Sequence, residues 1–141
     1  MKISIITATY NSEVTLSSCM TSVLQQSYQN IEYLIIDGNS TDETLELVKQ
    51  HQVQFPQIEF KILSEPDNGI YDALNKGIQL ATGDVIAILH SGDLFYDRTV
   101  VSDMVNRMTD TGAEFCFSDL IIVDRAGENI LRYYMAHYYK Q

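Results

Sequence analysis

Basic residues are scarce in this chain. Nine Lys plus Arg stand against 19 Asp plus Glu in 141 residues, a formal net charge of -10. Nucleic-acid binders rest their affinity on a basic face meeting phosphates, and this balance argues against that class. One small anion is still a possible ligand, because a metal ion or a helix N-terminus neutralises phosphate locally. Long apolar runs are missing too. No segment approaches the roughly 20 apolar residues that a membrane span requires. The opening MKISIITATYN is shorter than a signal-peptide core and has no small-residue cleavage site after it. It reads as a strand, and the chain as cytoplasmic. Only two cysteines are present, Cys19 and Cys116. Both sit inside apolar patterns without metal spacing, which predicts buried free thiols rather than a disulfide. Repeats, low-complexity tracts and flexible linkers are absent, and the length fits one domain, 1–141, with one core.

Several nucleotide and hydrolase motifs are also missing. TATYNS follows the first strand where a dinucleotide site would need G-x-G-x-x-G. No G-x-x-x-x-G-K-[ST] exists, which excludes a P-loop, and no G-x-S-x-G supports a nucleophile elbow.

What is present is an apolar pattern that keeps changing period. Residues 2–8, 32–37, 58–63 and 85–89 read as strands. Between them, Leu16, Cys19, Met20, Val23 and Leu24 mark one helix face, as do Ile70, Ala73, Leu74, Gly77, Ile78 and Ala81. Ser40 and Glu43 form the S-x-x-E capping pattern, predicting a helix from near Thr41 with Leu45, Leu47 and Val48 on its buried side. Gly83 is placed as a helix C-cap. A further helix is expected over 97–109, then a hairpin of EFCFSDLIIVD and NILRYYM around RAG. Strand and helix alternate four times, so the fold class is α/β, a mostly parallel sheet flanked by helices. The late hairpin predicts an antiparallel addition that makes the sheet mixed.

In open α/β sheets ligands bind beyond the carboxyl ends of the strands. Thr7 to Asn11, Asp37 to Asp42 and His90 to Asp93 all fall there. Each cluster has a plain structural explanation. Asn11 or Ser12 reads as a helix cap. Asp37 leaves two readings open: it holds a ligand N–H or hydroxyl, or it caps its own turn through the amides of Asn39 or Ser40. Asp42 and Glu43 suit a helix first turn. Asp72 and Lys76 read as an i, i+4 ion pair. For HSGD, 90–93, one reading is a turn with Gly92 at positive φ and Asp93 capping the next helix. The other is a carboxylate for a metal whose remaining ligands are phosphate oxygens and water.

Taken in order, these segments resemble the nucleotide-sugar-binding part of family 2 inverting glycosyltransferases with the GT-A, Rossmann-like fold. SIITATYNSEVTLSSCMTSVLQQSYQNIEYLIIDGNSTDET resembles that family's opening, and SEPDNGIYDALNKGIQLATGDVIAILHSGDLFY its central segment. The similarity runs over nearly the whole chain and is greatest to bacterial enzymes of surface-polysaccharide synthesis. It implies a nucleotide site drawn from Thr7, Thr9, Tyr10, Asn11, Asp37, Asp67, Lys76, Ser91 and Gly92. Tyr10 would lie near the base and Asp37 would hydrogen-bond it. HSGD takes the place of the family's acidic DxD-type motif, so that Asp93, with His90, would hold a divalent metal (Mg or Mn) on the diphosphate.

The implied donor is a UDP-, dTDP- or GDP-sugar, and the implied acceptor a saccharide or lipid-linked hydroxyl attacked with inversion. Two departures stand out. Family members carry two or three acids in this motif, where only Asp93 remains. The family's general base usually lies further on, and neither Asp119 nor Asp124 matches it. A donor-binding fragment, with its catalytic base beyond Gln141, is therefore expected, peripheral at most to the plasma membrane. Tyr133, Tyr134, Tyr138 and Tyr139 would form an aromatic patch that favours homo-oligomers. A binding module without catalysis is the alternative. A nucleotidyltransferase ranks below it, since the Gly-rich basic loop of that class is absent.

Overall fold

The protein is described here from a computed structural model, covering residues 1–124, 126–127 and 129–135. The chain divides into two compact units, 1–105 and 106–141.

The first unit is built on a sheet. β1 (Ile3–Thr9) and β2 (Ile31–Asp37) are buried at every position. β3 (Glu59–Ser64) and β4 (Val85–Ile88) are the outer strands, giving the order β3-β2-β1-β4 with all pairs parallel. The two central strands are rich in isoleucine because both of their faces are covered. Side chains alternate between the faces. Ile3, Ile5, Ile31, Tyr33 and Ile35 pack with α1 (Leu16–Leu24), with Val48 of α2 (Thr44–Gln54) and with Val101 and Val105 of α4 (Val100–Thr111). Ile6, Ala8, Leu34 and Ile36 pack with α3 (Ile70–Leu80). α3 approaches closely at Gly77, where an added Cβ would lie 2.7 Å from Ile6 Cγ2.

The amino end of the sheet is closed by one buried carboxylate. Glu32 is fully buried and accepts from Ser4 Oγ (2.5 Å), Thr82 N–H (2.5 Å), Thr82 Oγ1 (2.7 Å) and Lys61 Nζ (2.9 Å). Lys2 Nζ lies 2.8 Å away as an ion pair. Burial alone would push this carboxyl up, but the bonds from Lys2, Ser4 and Thr82 outweigh it and hold it well below the usual carboxylate range.

Four local expectations are corrected. α2 begins at Thr44, because Ser40 is bonded elsewhere and Glu43, at the N-cap, makes no side-chain cap. Gly83 does not end α3, whose C-cap is Ala81; it packs on β1, where a Cβ would meet Ser4 Oγ at 2.6 Å. α4 starts three residues later than expected. Cys116 is half-buried, whereas Cys19 is fully buried, and both thiols are free.

In the second unit, β5 (Leu120–Val123) and β6 (Ile130–Tyr134) form the expected antiparallel hairpin, with Gly127 at φ 74° in its turn. The hairpin is a separate two-stranded sheet rather than an edge of the parallel one. Tyr133 and Tyr134 are exposed on it, and Arg132 lies over the Tyr134 ring. Tyr138 and Tyr139 lie outside the described residues. Among the described residues no helix is long and apolar enough to cross a membrane.

Candidate functional site

The parallel register brings the ends of β1, β2 and β3 to one edge, pairing Thr9 with Asp37 and Asp37 with Ser64. The loops leaving β1 and β2 interlock there. Gly38 N–H donates to Thr9 O (2.9 Å), Asn11 N–H to Ser40 Oγ (2.8 Å), and Thr41 N–H to Asn11 Oδ1 (2.9 Å). Asn11 and Asn39 adopt positive φ, 46° and 66°, a conformation asparagine tolerates better than most residues. Asn11 is therefore a loop-to-loop bridge and not a helix cap; Thr15 precedes α1 and makes no side-chain cap either.

Asp37 is the post around which these loops turn. It is 1% exposed and accepts from Ser40 N–H (3.0 Å), Ser40 Oγ (2.5 Å) and Ser64 Oγ (2.6 Å). Three donors offset the burial of its charge. Turn capping through Ser40, one of the two readings left open by the sequence, is thus in place.

Over this post, two side chains converge. A Cβ added to Gly38 would lie 2.7 Å from Asp67 Oδ2 and 3.4 Å from Tyr10 Cδ2. Tyr10 is 62% exposed, so its ring presents a face to solvent beside the Asp67 carboxylate. Asp67 Oδ1 accepts Gly69 N–H (2.8 Å), which shapes the loop before α3. At the end of β1, Thr9 Oγ1 is buried and has no hydrogen-bond partner among the described residues. A buried hydroxyl without a partner in a native fold calls for an explanation, and a ligand atom is one.

Two further candidate residues are held by bonds within the protein. Thr7 is fully buried, and its hydroxyl bonds Leu89 O (2.8 Å) and Tyr33 OH (3.1 Å), tying β1 to the end of β4. Lys76 reaches Pro66 O (2.9 Å), Glu65 Oε1 (3.0 Å) and, as the expected i, i+4 pair, Asp72 Oδ2 (3.6 Å). The bond to Glu65 leads the effects that raise its pKa. Lys76 anchors the loop that carries Asp67.

The segment 90–95 lies along α1. Cys19 Sγ–H donates to His90 O (3.3 Å), Ser12 Oγ and Ser91 Oγ are 3.1 Å apart, and Phe95 N–H donates to Ser22 Oγ (3.1 Å). Burial pushes the Cys19 thiol up to about 11, against smaller opposing bonds from Tyr33 and Thr7. Asp93 N–H closes a turn on His90 O (2.8 Å), but Gly92 does not take positive φ. Nor does Asp93 cap the following helix. Asp97 instead accepts Thr99 N–H (2.8 Å) and Thr99 Oγ1 (3.0 Å) just ahead of α4.

His90 and Asp93 are both exposed. Among the described residues, no three His, Cys, Asp or Glu side chains come together to hold a metal. This donor set does not fit a cation held by protein alone. It fits one shared with a ligand's phosphates, which needs a single protein carboxylate.

Gly38, Ser64, Cys19 and Ser22 were missed as site-forming residues in the sequence. Gly38 had a signal, since a glycine directly after a buried strand-end carboxylate marks a close approach. The other three act through contacts across sequence separations that no local pattern encodes.

The family model described as "Glycosyl transferase family 2" matches residues 4–140. A PGL/p-HBAD biosynthesis glycosyltransferase of Mycobacterium bovis is 32% identical over 123 residues, 86% of this chain and 45% of that protein. An uncharacterized glycosyltransferase of Mycobacterium tuberculosis is 36% identical over 111 residues, 78% of this chain and 41% of that protein. The chain thus spans less than half the length of these relatives. Among solved structures, residues 1–349 of S. aureus TarS in complex with UDP-GlcNAc align at TM-score 0.71 and 24% identity, covering 79% of this chain and 32% of that one. A mannosyltransferase of Pyrobaculum calidifontis in complex with GDP-Man and Mn2+ aligns at TM-score 0.74 and 22% identity, covering 90% of this chain and 36% of that one. At these identities the two structures establish the fold.

Proposed function

The chain belongs to glycosyl transferase family 2, and from that premise we propose that it binds a nucleoside-diphosphate sugar at the carboxyl edge of its parallel sheet. The observation that carries this reading is the convergence of Tyr10 and Asp67 over Gly38, at the end of the strand whose last residue, Thr9, keeps a buried hydroxyl without a partner among the described residues. The Tyr10 ring stacks on the base, and Asp67 accepts from the base or ribose. Thr9 Oγ1 gains a ligand partner. Asp37 holds the β2 loop in place from beneath. Asn11 and Ser40 lock the two loops together.

The diphosphate lies toward Ser91, Gly92 and Asp93. Asp93, with His90 beside it, would hold a Mg or Mn ion there. Such an ion supplies Lewis-acid stabilisation of charge on the leaving diphosphate. The reaction of the whole protein is transfer of the sugar to an acceptor hydroxyl with inversion, its proton passing to a general base, in bacterial polysaccharide synthesis. The acceptor in this reading is a saccharide or lipid-linked hydroxyl. Donor binding without transfer is the second reading for this chain alone, supported by its spanning less than half of its relatives.

Isothermal titration with UDP, GDP and dTDP, each with and without Mn2+, tests the proposal. Binding of at least one nucleotide, tightened by Mn2+, is expected. A folded sample that binds none of them would rule the donor site out.

A further inference from the structure

α1 contains no charged residue in its nine positions, LSSCMTSVL, although the chain as a whole carries 28. Its inward face is Leu16, Cys19, Met20, Val23 and Leu24. The opposite face is made of hydroxyls and ends in an amide, Gln25. Serine and threonine are mediocre helix formers, so local helix stability does not account for them. Ser22 and Thr21 bond back to their own helix, at Cys19 O (2.7 Å) and Ser17 O (2.8 Å). The side chains of Ser18 and Gln25 are exposed and hydrogen-bond no described residue.

This face forms one wall of an open cleft of about 390 Å³, within the size range of ligand sites. The facing wall is Leu94 to Arg98. Phe95 is packed against the core, whereas Tyr96 is 82% exposed. Asp97 and Arg98 offset each other in charge. The Asp97 carboxylate is engaged by Thr99, and Arg98 Nε is fixed on Gln25 O at 3.1 Å. An anion would need net positive charge, and an apolar ligand would need apolar walls. A hydroxyl and amide wall facing aromatic rings instead matches a sugar, with its polar edge and its C–H face.

We propose that this cleft binds a neutral saccharide chain, with Ser18, Thr21 and Gln25 on its hydroxyls and Tyr96 against its ring. It is separate from the Tyr10–Asp67 cluster. It lies behind the loop that carries Asp93, because Ser22 holds Phe95 N–H and Cys19 holds His90 O. Its use as a subsite for the acceptor chain rests on the transferase reading above; saccharide binding itself does not.

Amide chemical-shift mapping of the 15N-labelled chain tests the proposal, with chitotetraose and cellotetraose at millimolar concentration as probes and UDP as the control ligand. Saturable shifts at Thr21, Gln25 and Tyr96 are expected with at least one saccharide. Tyr96→Ala and Gln25→Ala are each expected to weaken that binding about tenfold, 1.4 kcal/mol, with UDP affinity unchanged. Three results would overturn it: no shift on α1 or 94–98 with either saccharide, shifts unaffected by both variants, or displacement of the saccharide by UDP. Saccharide binding in a chain that binds no nucleotide would keep the cleft and remove only its acceptor role.

Discussion

Gly38 and Asp93 make opposite demands on their surroundings, and each can be tested by one substitution. Gly38 must be small because Asp67 and Tyr10 close over it. Gly38→Ala should push Asp67 aside and weaken nucleotide binding about tenfold, about 1.4 kcal/mol, with the melting temperature nearly unchanged. Equal affinity would remove the convergence as the basis of the site. Asp93 is exposed and free of structural duty beyond its backbone turn. Asp93→Ala should leave metal-free binding intact and abolish its enhancement by Mn2+, read by calorimetry in both conditions. The two cysteines differ in the same way. With its thiol raised to about 11 by burial, Cys19 should resist iodoacetamide at pH 8, and half-buried Cys116 should take the label first. Native mass spectrometry finding the label on Cys19 would contradict this packing.

The elements differ in how openly their sequences declare them. β1 and β2 were legible because continuous apolar runs leave no alternative to a doubly covered strand. α1 and α3 were legible from their 3.6-residue stripes. The start of α2 was not, since the serine of the apparent capping box bonds a carboxylate three residues before it instead of an amide three residues after it. Glu32 was silent in the sequence for a related reason. Its four partners, Lys2, Ser4, Lys61 and Thr82, come from three separate segments. That knot should govern acid stability. The carboxyl is depressed in the folded state, so its contribution is complete above the unfolded value of about 4.3 and is lost as pH falls below it toward the folded value. Glu32→Gln should therefore destabilise the protein by about 3 kcal/mol at pH 7. The gap from wild type should narrow below about pH 4, as followed by urea unfolding across pH. A pH-independent gap would place the effect in packing rather than charge.

At the scale of the molecule, parallel register turns distant sequence clusters into one edge. Thr9, Asp37 and Ser64 align only because β1, β2 and β3 run the same way. This gathering was predictable from four strand–helix alternations. The division of labour within it was not. Asp37 reads in sequence equally as a ligand contact or a turn cap, and its bonds to Ser40 and Ser64 supply the second of these roles. Lys76 steadies a loop, and Thr7 ties two strands. The side chains left facing outward are Tyr10, Asp67, His90 and Asp93, and the proposed donor site rests on them. A crystal structure of the chain with UDP and Mn2+ tests that claim most directly. The account predicts the base against Tyr10 and Asp67, and the diphosphate at 91–93 with the ion on Asp93. A nucleotide bound elsewhere, or an ion that does not touch Asp93, would contradict it.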